Sequence, residues 1–318
     1  MQIGKIEFGE IDAKNEVLKQ KRVGKSIFKN SFQVPPRINV DNLLSGENYF
    51  VVGKKGCGKT ALLLYVQELG AEKGWSTETI FFRSGISEPE RQGFLAGTSY
   101  EVIEIDGKTK VDYDFIFNWL WLIYSNILRR IEEKHVLAGG EILNDLKKLL
   151  DVKNETKVKP FEDLLAKNII ARAKIGLDAK FLRGEIEAEV QAAREVEKQR
   201  LPMQVVLICE KYFGEIKLRP QNRVTLAFDE LELFQSKREQ RDRDLRLIRD
   251  LLQAVSRVNH TFADAGSAVS VYASIRSEVL SEVNEILPES WRDFSDFSVE
   301  VNWNVKADAT EQPILNIV

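Results

Sequence analysis

Near the start of the chain, a short apolar run enters a glycine-rich loop, and a helix-forming segment follows the loop. The apolar run is residues 49–52, the loop is residues 53–60 with the spacing Gly-x-x-x-x-Gly-Lys-Thr, and residues 61–66 are again mostly apolar. Strand, loop and helix in this order are the context that the Walker A phosphate-binding pattern requires. A flexible turn is the alternative interpretation, but the two correct flanks favour a phosphate-binding loop.

The residue types in this loop predict how it would hold a nucleotide. Glycines let backbone N–H groups turn toward phosphate oxygens, and the N-terminus of the following helix adds roughly half a positive charge. Lys59 is expected to reach the β- and γ-phosphates, and the Thr60 hydroxyl to bind Mg²⁺. The predicted phosphate-binding residues are Gly53, Lys54, Lys55, Gly56, Cys57, Gly58, Lys59, Thr60 and Ala61.

A second pattern lies far downstream, where a buried-strand sequence ends in two carboxylates. Residues 223–228 are mostly apolar, and Asp229 and Glu230 follow them. We expect Asp229 to hold the Mg²⁺ shell, and Glu230 to orient and deprotonate the attacking water. A strand that simply ends in surface carboxylates is the alternative interpretation. Glu232 is a second candidate for the base, further into the loop.

The next apolar strand sequence, residues 267–274, is followed by Ile275 and Arg276. In ATPases with an additional strand between the two Walker strands, a polar residue at the end of that strand senses the γ-phosphate. Arg276 is the candidate for this role, or for stabilising transition-state charge in a neighbouring subunit. A surface salt bridge is the rival interpretation.

The order of elements predicts an α/β fold, a three-layer α/β/α sandwich with a mostly parallel central sheet. We expect a single domain over residues 1–318, with a helical lead-in at 1–45 and an insertion at about 137–200. The apolar density of residues 113–133 predicts a long buried helix. Alternation within residues 174–190 predicts a hairpin that leads into a helix, although helical spacing also fits part of this segment.

Composition limits the function classes. The formal charge of −3 supplies no basic field, so nucleic acid is not an indicated partner. The two cysteines, Cys57 and Cys209, indicate no disulfide framework and fit a reducing compartment. No apolar run approaches the length of a membrane span and the N-terminus lacks the apolar core of a signal peptide, so we expect a cytoplasmic protein without membrane contact.

With these patterns, the chain resembles the bacterial P-loop ATPases related to the STAND and KAP groups, several of which serve in anti-phage defence. The resemblance rests on residues 53–62, 224–230 and 270–276, and on residues 8–13 before the loop. It implies the strand order 5-1-4-3-2 and a nucleotide-controlled switch that acts as a homo-oligomer or with a protein effector. Relatives often carry two aspartates after the second Walker strand, and Asp229-Glu230 at that point favours hydrolysis over binding alone.

The apolar run at residues 313–318 stands where a lid or helical subdomain would begin in such a protein. We therefore expect a lid or effector region to be absent from this chain, either because the chain is truncated or because the effector is separate.

The favoured function is a Mg²⁺-dependent ATPase whose hydrolysis drives a conformational or assembly change. ATP is preferred over GTP because the chain has neither an Asn-Lys-x-Asp pattern nor Asp-x-x-Gly after the second Walker strand. Three alternatives stay open at this point: a small-molecule phosphotransferase, a scaffold that binds nucleotide without hydrolysing it, and a DNA-dependent ATPase.

Overall fold

The computed structural model describes residues 10, 12–23, 27–84, 99–105, 108–149, 201–219, 221–231, 238–286 and 291–304. Most of the predicted insertion, including the hairpin expected at 174–190, lies outside these described residues. Glu232, the second candidate for the base, lies outside them as well.

The described chain alternates strands with helices. The strands are β1 (Phe50–Gly53), β2 (Ser76–Phe81), β3 (Ser99–Ile105), β4 (Lys108–Asp114), β5 (Val136–Ala138), β6 (Lys217–Leu218), β7 (Val224–Leu231), β8 (Val269–Arg276) and β9 (Ser298–Glu300). The helices are α1 (Ala13–Val23), α2 (Ile27–Ser31), α3 (Val40–Ser45), α4 (Lys59–Glu72), α5 (Ile116–Arg130), α6 (Gly140–Leu149), α7 (Leu201–Phe213), α8 (Arg238–Asp264), α9 (Ser277–Ile286) and α10 (Trp291–Asp296). A single 3₁₀ turn, Glu133–His135, lies between α5 and β5.

The central sheet has five strands in the order β2-β7-β8-β1-β9, and every neighbouring pair is parallel. Numbered along the chain, these core strands follow the order 5-1-4-3-2, as the resemblance implied. The predicted α/β fold with a mostly parallel sheet is therefore confirmed. Strand β8 lies between β1 and β7, so the ends of these three strands come together at one edge of the sheet.

Burial explains why the central strands could be predicted from the sequence. Almost every residue of β7 and β8 is buried, because helices cover parallel strands on both faces and the strands read as continuous apolar runs. The predicted long buried helix is α5, which is buried continuously from Trp119 to Leu128. The Trp119 indole N–H donates to the Leu247 carbonyl oxygen at 2.9 Å, which joins α5 to α8.

A smaller cluster lies apart from the main core. Val17, Phe28 and Leu64 are buried together where α1 and α2 pack against α4. The lead-in therefore rests on the outer side of the helix that follows the glycine-rich loop.

In the turn-rich stretch 84–110, the alternating residues 101–105 favour a strand, and β3 confirms it by pairing antiparallel with β4. The mixed-charge run 237–244 favours a solvated helical face with ion pairs inside the helix. Instead Asp244 is only 2% exposed, and the Arg241 guanidinium binds both carboxylate oxygens of Glu282 on α9. The contact of Arg241 with Glu282 joins α8 to α9. Within the described ranges, no helix is long and apolar enough to span a bilayer.

Candidate functional site

The glycine-rich loop connects the end of β1 to the start of α4. Gly56 and Gly58 have positive φ angles of 78° and 96°, a backbone region that strongly favours glycine. Gly58 is the N-cap of α4, and it supplies no side-chain cap. The first turn of α4 also contains no acidic residue. The N–H groups at the start of this helix and its positive dipole end are thus available to an anion.

Gly53 permits two close approaches at the start of the loop. A Cβ atom there would lie 2.5 Å from Cys57 Sγ and 2.9 Å from the Val301 carbonyl oxygen. The loop therefore folds tightly onto itself and against the segment that follows β9. That segment also binds the loop directly, because the Trp303 indole N–H donates to the Cys57 carbonyl oxygen at 2.9 Å.

Lys59 folds back over the loop. Its ammonium donates to the carbonyl oxygens of Gly53 and Lys54, both at 2.9 Å. Burial lowers the pKa of Lys59, while the negative charge of Asp229 raises it and the positive charge of Arg276 lowers it. Lys59 thus lies within electrostatic reach of both predicted partners from the downstream strands. The carbonyl oxygens it now binds are neutral groups that a phosphate could replace.

Asp229 is the most deeply buried carboxylate of the site, at 2% exposure. Its Oδ1 accepts a hydrogen bond from the Ser274 hydroxyl on β8. Its Oδ2 is buried and has no hydrogen-bond partner among the described residues. A buried carboxylate oxygen without a donor is costly, and a bound cation would offset that cost.

The donor set fits Mg²⁺. This ion usually keeps several water ligands and takes one or two carboxylates together with substrate phosphates. Asp229 supplies such a carboxylate, and Thr60, half-buried in the first turn of α4, supplies a hydroxyl. The described residues hold no group of three or more His, Cys, Asp or Glu side chains that could bind a metal ion.

Arg276 is the last residue of β8, and it is half-buried. It pairs in register with Gly53, the first residue of the loop. The sheet order therefore places the backbone of Arg276 beside the first residue of the loop. Lys54 and Lys55 have exposed side chains, so they contribute charge from the solvent side of the loop.

The carboxylate of Glu230 lies on the β2 side of β7, whereas Asp229 contacts Ser274 on the β8 side. Its Oε1 lies 3.3 Å from the Lys14 ammonium on α1, and its Oε2 accepts the Ser84 backbone N–H at 2.8 Å, just beyond β2. Its φ angle is +60°, an uncommon value for a residue other than glycine. The pairing of β7 with β8 is also irregular at this point, between Phe228 and Leu231. The structure thus groups Lys59, Asp229 and Arg276, and it attaches Glu230 to α1 and the end of β2.

Four residues of the site were not assigned a role from the sequence: Lys14, Ser84, Ser274 and Trp303. A hydroxyl at the end of a buried strand could have identified Ser274, since it belongs to the Ser274-Ile275-Arg276 pattern. Lys14 and Ser84 carry no local signal, because they meet Glu230 across 216 and 146 positions of sequence.

Comparison with protein-family models, with curated proteins and with solved structures found no match to this chain.

Proposed function

We propose that this chain is a Mg²⁺-dependent P-loop ATPase whose nucleotide state switches its conformation or its assembly. One observation carries the proposal: the ends of β1, β8 and β7 are neighbours in the sheet, and there Asp229 keeps a buried oxygen without a hydrogen-bond partner among the described residues, within coulombic range of Lys59. A surface strand end would not bury an unsatisfied carboxylate next to a lysine of a phosphate-binding pattern. The grouping therefore supports nucleotide binding over a fortuitous glycine-rich turn.

Each residue has a definite task in this proposal. The N–H groups of residues 53–61 hold the phosphates, and Lys59 exchanges its two carbonyl partners for phosphate oxygens. Thr60 and Asp229 hold Mg²⁺, which would neutralise phosphate charge when bound. Arg276 senses the γ-phosphate, and Glu230 orients and deprotonates the attacking water once its carboxylate is free. ATP is the proposed nucleotide because the guanine-reading patterns are missing from the sequence.

The resemblance to the STAND and KAP groups extends the proposal to partners and location. We infer a homo-oligomer, or a complex with a protein effector, in the cytoplasm. A role in anti-phage defence would follow from the same resemblance.

The decisive experiment measures Mg²⁺-dependent ATP turnover and oligomeric mass together for the wild type and for Lys59→Ala. We expect turnover in the mutant to fall by about a hundredfold or more, because it loses a charged donor to the phosphates. The oligomeric mass of the wild type should change when nucleotide is added. Lys73→Ala at the opposite, exposed end of α4 is the matched control and should behave as wild type. Equal turnover in all three proteins would refute the proposal.

A non-hydrolysing scaffold is the second candidate, and the contacts of Glu230 favour it. Both carboxylate oxygens are engaged with Lys14 and Ser84, so the observed arrangement offers no free base at Glu230. Glu230→Gln separates the candidates. An ATPase with this substitution should retain bound ATP without cleaving it, whereas a scaffold should bind and release nucleotide as before.

A further inference from the structure

The contact between Lys14 and Glu230 joins the first helix of the chain to the predicted catalytic base. The Lys14 ammonium lies 3.3 Å from Glu230 Oε1, binds the Ser84 hydroxyl and rests 4.5 Å from the centre of the Phe81 ring. Lys14 is therefore fixed by three different groups. The opposite oxygen of Glu230 is held by the Ser84 backbone N–H at 2.8 Å.

This arrangement occupies the carboxylate that hydrolysis requires. A general base must bring an oxygen to within about 2.6–3.2 Å of the water it deprotonates. The partners of Glu230 lie on the β2 side of β7, whereas Asp229 contacts Ser274 on the β8 side. Glu230 must leave Lys14 before it can serve the site next to Lys59.

Among the described residues, the helix that carries Lys14 buries one apolar side chain, Val17. Val17 packs with Phe28 and Leu64 in the small cluster, which touches the main core through the partly buried Phe32. Elements with few buried apolar contacts open at low free-energy cost, without unfolding of the rest of the domain. Helix α1 can thus leave α4 while the central sheet stays intact.

We propose that α1 is a latch in which Lys14 holds Glu230 in a resting position, and that undocking of α1 releases the carboxylate for hydrolysis. This inference rests on the proposed ATPase function and adds its regulation. Any ligand that binds the undocked α1 more tightly than the docked form activates the enzyme, because it shifts the population toward the released state.

The first test removes the ion pair alone. Lys14→Met keeps the aliphatic length of the side chain and removes its charge. Since the side chains of Lys14 and Glu230 are 28% and 23% exposed, we expect ATP turnover to rise about two- to fivefold, the range of a partly exposed pair. Lys19→Met is the matched control on the same helix, where the ammonium pairs with Glu10 in solvent. It should leave turnover unchanged.

The second test weakens the packing of α1 against α4 without changing Lys14 or Glu230. Val17→Asp places a charge in the small cluster, whereas Leu18→Asp places the same charge at a neighbouring position that is 51% exposed. We expect Val17→Asp to raise turnover and Leu18→Asp to leave it unchanged. The double variant of Lys14→Met and Val17→Asp should gain no more than the stronger single variant, because both open one latch. Circular dichroism checks that the variants are folded. If Val17→Asp does not fold, the comparison of Lys14→Met with Lys19→Met decides the test alone.

Binding of a fluorescent ATP analogue, measured for every variant, separates two kinds of failure. Wild-type binding that Lys59→Ala abolishes, together with unchanged or lower turnover in Lys14→Met, overturns the latch and leaves the ATPase proposal standing. Lower turnover would assign Lys14 the opposite role, as a group that assists Glu230. Absence of ATP binding to the wild type overturns the proposed function and the latch with it.

Discussion

At the scale of single residues, the site depends on how Asp229 is oriented. The Ser274 hydroxyl donates to Oδ1, which leaves Oδ2 as the buried oxygen without a partner among the described residues. Donors of this kind fix the orientation of a metal-binding carboxylate, and their loss commonly costs about ten- to a hundredfold in metal affinity or activity. Ser274 is therefore expected to control Mg²⁺ binding without touching the ion.

We predict that Ser274→Ala raises the Mg²⁺ concentration for half-maximal ATP turnover by about tenfold or more, because Asp229 loses its orienting donor. The measurement is turnover against Mg²⁺ at saturating ATP. Ser270→Ala is the control on the same buried strand, where the hydroxyl binds Arg223 instead. It should change thermal stability at most. A similar Mg²⁺ shift in both variants would show that Ser274 acts only through packing.

Residues of the candidate site could be selected from the sequence where the signal is local. Lys59 belongs to a pattern of eight consecutive positions, residues 53–60, and Asp229 ends an apolar run. The sheet order then brings the strand that ends in Asp229 next to the strand that ends in Arg276, and both charges act on Lys59. The surroundings of Glu230 were not predictable in this way, because they depend on how α1 packs against α4 and β2.

At the scale of elements, the segment after β9 supports the glycine-rich loop. Val301 donates its backbone N–H to the Val52 carbonyl oxygen at 2.7 Å, and Trp303 donates to the Cys57 carbonyl oxygen. The loop is thus held from outside by residues nearly 250 positions away. This contact limits the freedom of the loop before any ligand binds, which reduces the entropy that binding must overcome.

We predict that Trp303→Phe weakens nucleotide binding by roughly fivefold, the equivalent of about 1 kcal/mol for one lost hydrogen bond. The phenyl ring keeps most of the apolar contact, so the thermal midpoint should change little. Titration with a fluorescent ATP analogue measures the affinity. Trp75→Phe is the control, since Trp75 packs against Gly70 at the other end of α4. Unchanged affinity in Trp303→Phe would indicate that its hydrogen bond does not organise the loop.

The boundaries of helices and strands were easiest to predict from the sequence where the element is deeply buried. Strands β7 and β8 are almost entirely buried, and apolar runs identified both to within a few residues. The charged residues that begin α8 were expected to be helical, but the burial of Asp244 cannot be predicted from charge alone. The contact of Arg241 with Glu282 joins two helices, so no pattern within one helix predicts it.

At the scale of the whole molecule, the two cysteines report on different parts of the fold. Cys57 is half-buried in the phosphate-binding loop, whereas Cys209 lies in the main core with no exposed surface. Burial raises the pKa of Cys209, so little reactive thiolate is present in the native protein. The reactivity of the two thiols therefore distinguishes occupation of the site from opening of the core.

We predict that a thiol reagent such as DTNB modifies one cysteine of the native chain, Cys57, and that Mg²⁺ with ATP slows this reaction because phosphates cover the loop. Cys209 should react only in denaturant, at the rate at which the main core opens. Cys57→Ser is the control, and it should lose the fast phase and keep the slow one. Fast modification of Cys209 would contradict the packing of α7 against α5. If ATP does not change the rate of Cys57 modification, the loop does not bind the nucleotide, even if Cys209 reacts as expected.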